Sequence, residues 1–226
     1  MAIDRRNFMR GLGAAGAAAL LPGVGSLAFG QGARPQTGTP FRIDTHAHFT
    51  IPRLYELSTA KGVNQPTLKD WSPAKLLAEM DEGGVQTSII SISDPGVHFG
   101  DNQAARALAR ECNEYAAKVV RDNPKRFGFF AVLPLPDVEG ALRESEYALD
   151  TLKADGIGVL SSYEGKYLGN PAFAPLMDEW NRRKTVVYCH PFCAACAVQQ
   201  TLTDAQNRGV EFVFDTTRTI LSLLQT

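Results

Sequence analysis

The chain has 226 residues, 44% hydrophobic and 21% charged, with a formal net charge of −1. That length supports one full domain with a sizeable core, or two small ones, and the balanced charge, with no basic stripe, gives no electrostatic reason to expect a nucleic-acid partner. An apolar fraction that includes 12 Phe, 6 Tyr and 2 Trp excludes intrinsic disorder. Four cysteines are too few for a disulfide scaffold, and the body of the chain holds no apolar run of about 18 residues that would span a membrane.

The first thirty residues read as a segment apart. Asp4-Arg5-Arg6-Asn7-Phe8-Met9-Arg10 pairs two arginines with an aromatic and a further base. A weakly apolar Ala/Gly stretch follows from Gly11 to Leu21, then a small-residue step at Ala28-Phe29-Gly30. This resembles a bacterial twin-arginine export signal cleaved near Gly30. Glycines at 11, 13 and 16 argue against a stable amphipathic helix. Removing residues 1–30 takes away three arginines and one acid, which moves the net charge from −1 to −3. Residues 31–40 then read as a flexible leader, and the barrel-like domain as 41–226. A periplasmic or otherwise exported destination follows from a working signal, a cytoplasmic one from its failure.

From residue 41 strands and helices alternate. Phe41 to Asp44 starts a strand that runs into Thr45-His46-Ala47-His48. Ser72-Pro73 opens a helix, a cap residue followed by Pro at the first helical position, which stops at Gly83-Gly84. Val85 to Ser91 is a β-branched strand. Ala105, Leu108, Cys112, Ala116 and Val119 recur at helical spacing over Asp101–Asp122. Arg126 to Leu133 is the third strand, closed by Pro134. Asp137 caps a helix with a stripe of Val138, Leu142, Ser145, Leu149 and Leu152, ended by Gly156. Ile157 to Leu160 is the fourth strand, followed by a polar loop to Asn170. Asn170-Pro171 begins another helix, Thr185 to His190 is the fifth strand, and a last helix covers Thr216 to Leu224.

Apolar strands each followed by an amphipathic helix indicate a parallel sheet covered on both faces. No Gly-rich phosphate loop follows the first strand, so a dinucleotide-binding sheet has no support. The alternation predicts an α/β fold of the TIM-like (β/α) barrel type, incomplete, with about five of the eight β/α units present.

Chemistry concentrates at the histidines, of which there are four. His46 and His48 lie at the end of strand one, two residues apart and so on one side of it; His190 lies at the end of strand five. The C-terminal mouth of such a barrel is where ligating and catalytic groups gather. Imidazoles grouped there suit one divalent ion, Zn²⁺ first, with Mn²⁺ or Fe²⁺ as alternatives. Asp44 reads as structural. An isolated H-x-H means little by itself; the third histidine at a strand end gives the pattern its weight.

At these residues the sequence resembles the amidohydrolase superfamily, in the branch typified by aminocarboxymuconate-semialdehyde decarboxylase. The matching pieces are Ile43-Asp44-Thr45-His46-Ala47-His48, the run from Trp71 to Val85, Pro124-Lys125-Arg126-Phe127, Leu133-Pro134, Gly156-Ile157-Gly158-Val159 and Tyr188-Cys189-His190-Pro191, over about residues 41–226. The resemblance implies a β/α barrel with one divalent metal, carried over to His46, His48 and His190. The family's strand-six His and strand-eight Asp are expected to lie beyond Thr226, the last residue of this sequence, so no catalytic residue is assigned. The implied activity is the metal-dependent, non-oxidative decarboxylation of an aromatic or related carboxylic acid; Ser162 to Phe173 looks most like members acting on salicylate-type or resorcylate-type acids. A metal-dependent hydrolase on the same fold, and an inactive truncated fragment that only binds metal, are the alternatives.

His98, after strand two, and Tyr163 are candidate substrate contacts; the bland alternatives are a solvated loop histidine and a tyrosine capping the barrel mouth. Cys193-Ala194-Ala195-Cys196 has redox or metal-knuckle spacing but no second pair and no thioredoxin-like context. Glu111, Glu114, Asp150 and Asp178 read as solvated helix residues. No GxSxG elbow supports serine hydrolase chemistry. Five strands leave two unpaired edges, so the chain by itself is expected to be a homo-oligomer or aggregation-prone; with nothing replacing the strand-eight carboxylate that the resemblance implies, it is also expected to be catalytically inert or nearly so.

Overall fold

The computed structural model describes residues 41–192 and 204–225. The signal, the leader, Cys193, Cys196 and Thr226 lie outside the described residues, so the expectation attached to Thr226, that the family's remaining His and Asp follow it, has no structural counterpart here. Strand β1 is Ile43–His48, β2 Thr87–Ser91, β3 Phe127–Val132, β4 Gly156–Leu160 and β7 Val187–His190. They pair in the order β1-β2-β3-β4-β7, every pair parallel. Between β4 and β7 a two-stranded antiparallel hairpin, β5 (Ser162–Tyr163) and β6 (Lys166–Tyr167), occupies the stretch read above as polar loop.

The helices are α1 (Pro52–Ala60), α2 (Pro73–Gly83), α3 (Asn102–Asp122), α4 (Val138–Glu146), α5 (Ala174–Arg183) and α6 (Asp204–Leu224). Their starts follow the caps in the sequence. The Ser72 side chain accepts the Lys75 N–H, Asp101 accepts that of Ala104, and Asp137 that of Gly140. Gly84 ends α2 in the left-handed region, at φ 65°, where a side chain would be strained. All five apolar residues read at helical spacing on α3 are buried.

Three boundaries differ from the sequence reading. The helix capped by Asp137 leaves regular geometry at Tyr147 and passes through a π turn to Thr151. Asn170-Pro171 starts a short 3-10 turn, Pro171–Phe173, that leads into α5. The last helix begins at Asp204 rather than Thr216. Helix α1 has no counterpart in the sequence reading. Ile51 precedes Pro52 with no side-chain cap, so the usual start signal is missing.

The sheet is strongly curled. Four inter-strand spacings would separate β1 from β7 by about 19 Å in a flat sheet, yet the rings of His46 on β1 and Tyr188 on β7 lie 5.7 Å apart. Strand β4 makes this closure possible. Phe130 of β3 and Tyr188 of β7 stack at 5.1 Å and 11° across the glycine-bearing strand between them. A Cβ on Gly156 would lie 3.2 Å from the Phe130 ring and 2.5 Å from the Val186 carbonyl oxygen; one on Gly158 would touch Phe130 at 3.4 Å. The architecture is therefore an open half of a TIM-like barrel with helices around it, as the alternation predicted. Its core runs through Ile90, Leu108, Phe129, Ile157 and Leu176, all buried.

Candidate metal centre

The end of β1 is bulged. Asp44 pairs with Ser88 and Ala47 with Ile90, so three steps on β1 oppose two on β2. The Asp44 carboxyl accepts the His46 N–H at 2.9 Å, which supplies the bond the irregular ladder does not and gives Asp44 the structural part expected of it. Bulges beside sites re-aim side chains, and here His46 and His48 turn toward each other, with ring centroids 4.9 Å apart. The curl brings in the third imidazole: His190 lies 5.3 Å from His46 and 4.8 Å from His48. The ligand nitrogens of the three all lie within 4.8 Å of one another.

Two of the three are held ready as ligands. His48 shares a 3.2 Å hydrogen bond between its Nδ1 and Ser91 Oγ, and the Ser91 hydroxyl in turn donates to the Ala47 carbonyl. With Nδ1 engaged at Ser91, Nε2 is the His48 nitrogen left to face a ligand. His190 reaches the same arrangement by another route, with Nδ1 at 2.8 Å from the Pro191 carbonyl, a group that can only accept. Burial, then the neighbouring imidazoles, lowers the pKa of His48 to about 4. Burial also takes His190 to about 4 against the opposing bond to Pro191. Both rings are therefore neutral at pH 7, the form a metal requires. Below them, burial pushes Tyr188 up to about 12, so it remains a neutral wall. Sequence reasoning missed Ser91; a serine closing an apolar strand opposite the H-x-H was the available signal.

A cavity of 200 Å³ opens over the ends of β2, β3 and β4. Its lining is mostly apolar, with Ile92, Val97, Val132, Leu160 and Phe192, and it brings together both expected substrate contacts, His98 and Tyr163. His98 Nε2 pairs with Asn102 Oδ1 at 2.9 Å. The Tyr163 hydroxyl accepts the Leu160 N–H at 2.7 Å, and burial raises its pKa. A larger space, 450 Å³, is lined by His46 and His48 themselves, together with Asp44, Asp70, Trp71, Lys75 and Glu79. Of the helix carboxylates, Glu111 pairs with Arg53, Asp150 with Arg183, and Glu114 accepts the Tyr147 hydroxyl. Cys112 and Cys189 are free thiols, and burial moves the pKa of Cys189 up to about 11.

The amidohydrolase family profile matches residues 43–219, and a twin-arginine translocation signal profile matches residues 2–22. The chain belongs to the amidohydrolase family. It is 44% identical over 178 residues to the decarboxylase yanB of Aspergillus niger, covering 75% of this chain and 46% of the relative. It is 40% identical over 159 residues to the 6-methylsalicylic acid decarboxylase acuB of Aspergillus aculeatus, covering 66% and 47%. The chain thus spans about half the length of these curated relatives. Among solved structures, an amidohydrolase II superimposes with TM-score 0.73 at 28% identity, over 81% of this chain and 61% of that one. A dihydroxybenzoic acid decarboxylase from Polaromonas, solved with manganese and 2-nitroresorcinol, superimposes with TM-score 0.63 at 24% identity, over 81% and 60%.

Proposed function

We propose that this chain carries the metal-holding part of a non-oxidative decarboxylase acting on a salicylate-type or resorcylate-type aromatic acid. The observation that carries the reading is the convergence of His46, His48 and His190, two with Nδ1 already engaged, at a 450 Å³ space that His46 and His48 line. The relatives named decarboxylase and 6-methylsalicylic acid decarboxylase support it.

The three imidazoles would hold one divalent ion, which when bound supplies a positive charge complementary to the substrate carboxylate and its neighbouring phenolic oxygen. Zinc, manganese and iron all accept such nitrogen donors; manganese is the first to test, because a decarboxylase of this fold binds it. The remaining work falls to the chain itself. Ser91 and the Pro191 carbonyl keep Nε2 of His48 and His190 directed outward. Val132, Leu160 and Phe192 exclude water from the ring; an apolar cavity of about 150 Å³ already holds benzene. His98 and Tyr163 would contact the ring and its substituents. In the overall change the carboxyl-bearing ring carbon gains a proton, the bond to the carboxylate breaks, and CO₂ leaves while its bonding electrons stay with the ring.

The test measures metal uptake and CO₂ release from 2-hydroxybenzoates by the purified protein with Mn²⁺, Zn²⁺ and Fe²⁺ in turn; stoichiometric uptake is expected, with release slow or absent in this chain by itself. Metal-dependent release supports the reading; metal-dependent addition of water to an ester or amide, with no CO₂, overturns it. We also infer that residues 1–30 are removed on export to the periplasm, which the match at residues 2–22 supports. Replacing Arg5 and Arg6 with Lys should leave the protein in the cytoplasm of a host with that pathway. Self-association belongs to the same proposal, supported by exposed Ile43 on β1 and Val186 and Val187 at β7; size-exclusion chromatography reads it.

A further inference from the structure

Asp215 on α6 is 1% exposed, and its carboxyl group ties four segments together. One oxygen accepts the Ser161 hydroxyl and, at 3.1 Å, the Phe192 N–H. The other accepts the Tyr167 hydroxyl at 2.9 Å, with Arg218 at 4.0 Å. Ser161 follows β4, Tyr167 belongs to β6, and Phe192 stands two residues beyond His190. From one turn further along α6, the Thr219 hydroxyl donates to the Ser161 carbonyl at 2.9 Å.

This knot grips the backbone that orients His190. The Ser161 N–H donates to the His190 carbonyl at 2.8 Å, and Ser161 Oγ accepts the Phe192 N–H at 2.7 Å. The Phe192 N–H and the Pro191 C=O belong to one planar peptide group. Ser161 and Asp215 hold its N–H, which fixes the direction of its C=O, and that oxygen receives the His190 Nδ1–H. Orientation therefore passes from a carboxyl group on α6, through a single rigid peptide, to the imidazole ring.

We propose that Asp215 is a positioning residue for His190, setting through Ser161 and the Pro191–Phe192 peptide the tautomer and direction of that ring. Its effect on metal binding rests on the metal-centre reading above; its effect on the ring does not. The experiment compares the wild type with Asp215→Ala, Asp215→Asn, Tyr167→Phe and Glu144→Gln. Glu144 is a buried carboxyl paired with Arg110 and Asn113 away from the centre, so its variant controls for lost stability. Manganese affinity is read by chelator competition, and the His190 tautomer by long-range ¹H–¹⁵N NMR of the metal-free protein.

Asp215→Ala should weaken manganese binding about 10–100-fold, the range for lost outer-shell partners, and shift the His190 nitrogens while leaving those of His48 in place. Tyr167→Phe should act in the same direction and less. Glu144→Gln should lower the melting temperature with affinity unchanged. If Asp215→Ala does not fold, the near-isosteric Asp215→Asn and Tyr167→Phe carry the test. Unchanged His190 signals in folded Asp215 variants overturn the proposal, as does an equal affinity loss in Glu144→Gln. A wild type that binds no metal overturns the metal centre instead, and the nitrogen signals then decide this inference alone.

Discussion

The middle and the edges of this sheet are built for different ends. Every residue of β3 and of β4 is buried, and neither strand carries a titratable side chain. On β1 and β7, by contrast, Ile43, His46 and Val187 are exposed, and these two strands hold all three imidazoles of the cluster. The apolar middle supplies burial, which is non-directional and tolerant. The edges supply donors whose value depends on direction. A curled sheet lets the two coexist, since the strands farthest apart in pairing order become neighbours in space.

The contrast can be broken from either side. Phe129→Ala in β3 deletes a fully buried ring and should cost about 3–5 kcal/mol of stability, read by denaturant unfolding, with metal affinity unchanged while the protein stays folded. The pair His46→Ala with His190→Ala should do the reverse. Metal analysis after dialysis should find stoichiometric metal in the wild type and none in the double variant, with unfolding little changed; metal retained by the double variant would remove these residues from the centre. Gly156→Val joins the two regions, because its side chain meets the Val186 carbonyl and the Phe130 ring. Overpacking of this kind costs about 1–3 kcal/mol and should also weaken metal binding by displacing β7.

Ser91→Ala sharpens the comparison at one atom. It leaves the sheet intact and frees the His48 ring, so chelator competition should find affinity down by about tenfold with a near-normal melting temperature. The most gradual effect is that of pH on the metal-free protein. His48 and His190 have folded pKa values of about 4 against an ordinary 6.5. Between those values the unfolded chain binds more protons than the folded one, so stability is full above about pH 6.5 and falls as pH drops toward 4. Thermal unfolding across that range checks it, and His48→Phe should flatten the slope.

Much of this could be read without coordinates, because it depends on near neighbours in the chain. The period of a strand puts His46 and His48 on one side of β1, and the caps at Ser72, Asp101 and Asp137 each bond a backbone N–H three residues on. Alternating apolar strands and amphipathic helices imply a parallel sheet, and Asp44 sits where a structural carboxyl was expected. The placement of His190 beside the H-x-H was legible only as an expectation of the fold.

Tertiary structure decided what joins distant residues. Gly156 read as a helix end and Gly158 as part of a strand, yet they leave the space over which Phe130 and Tyr188 stack and the sheet curls. Ser91 lies 43 residues from His48 and Asp215 lies 54 from Ser161, and no local pattern links such pairs. Helix α1 and the β5–β6 hairpin carried no start signal strong enough to find. Period and capping act over three or four residues, and the chain therefore declares them. Which imidazole faces which, and what holds each ring still, depends on how strands far apart in sequence curve back toward each other.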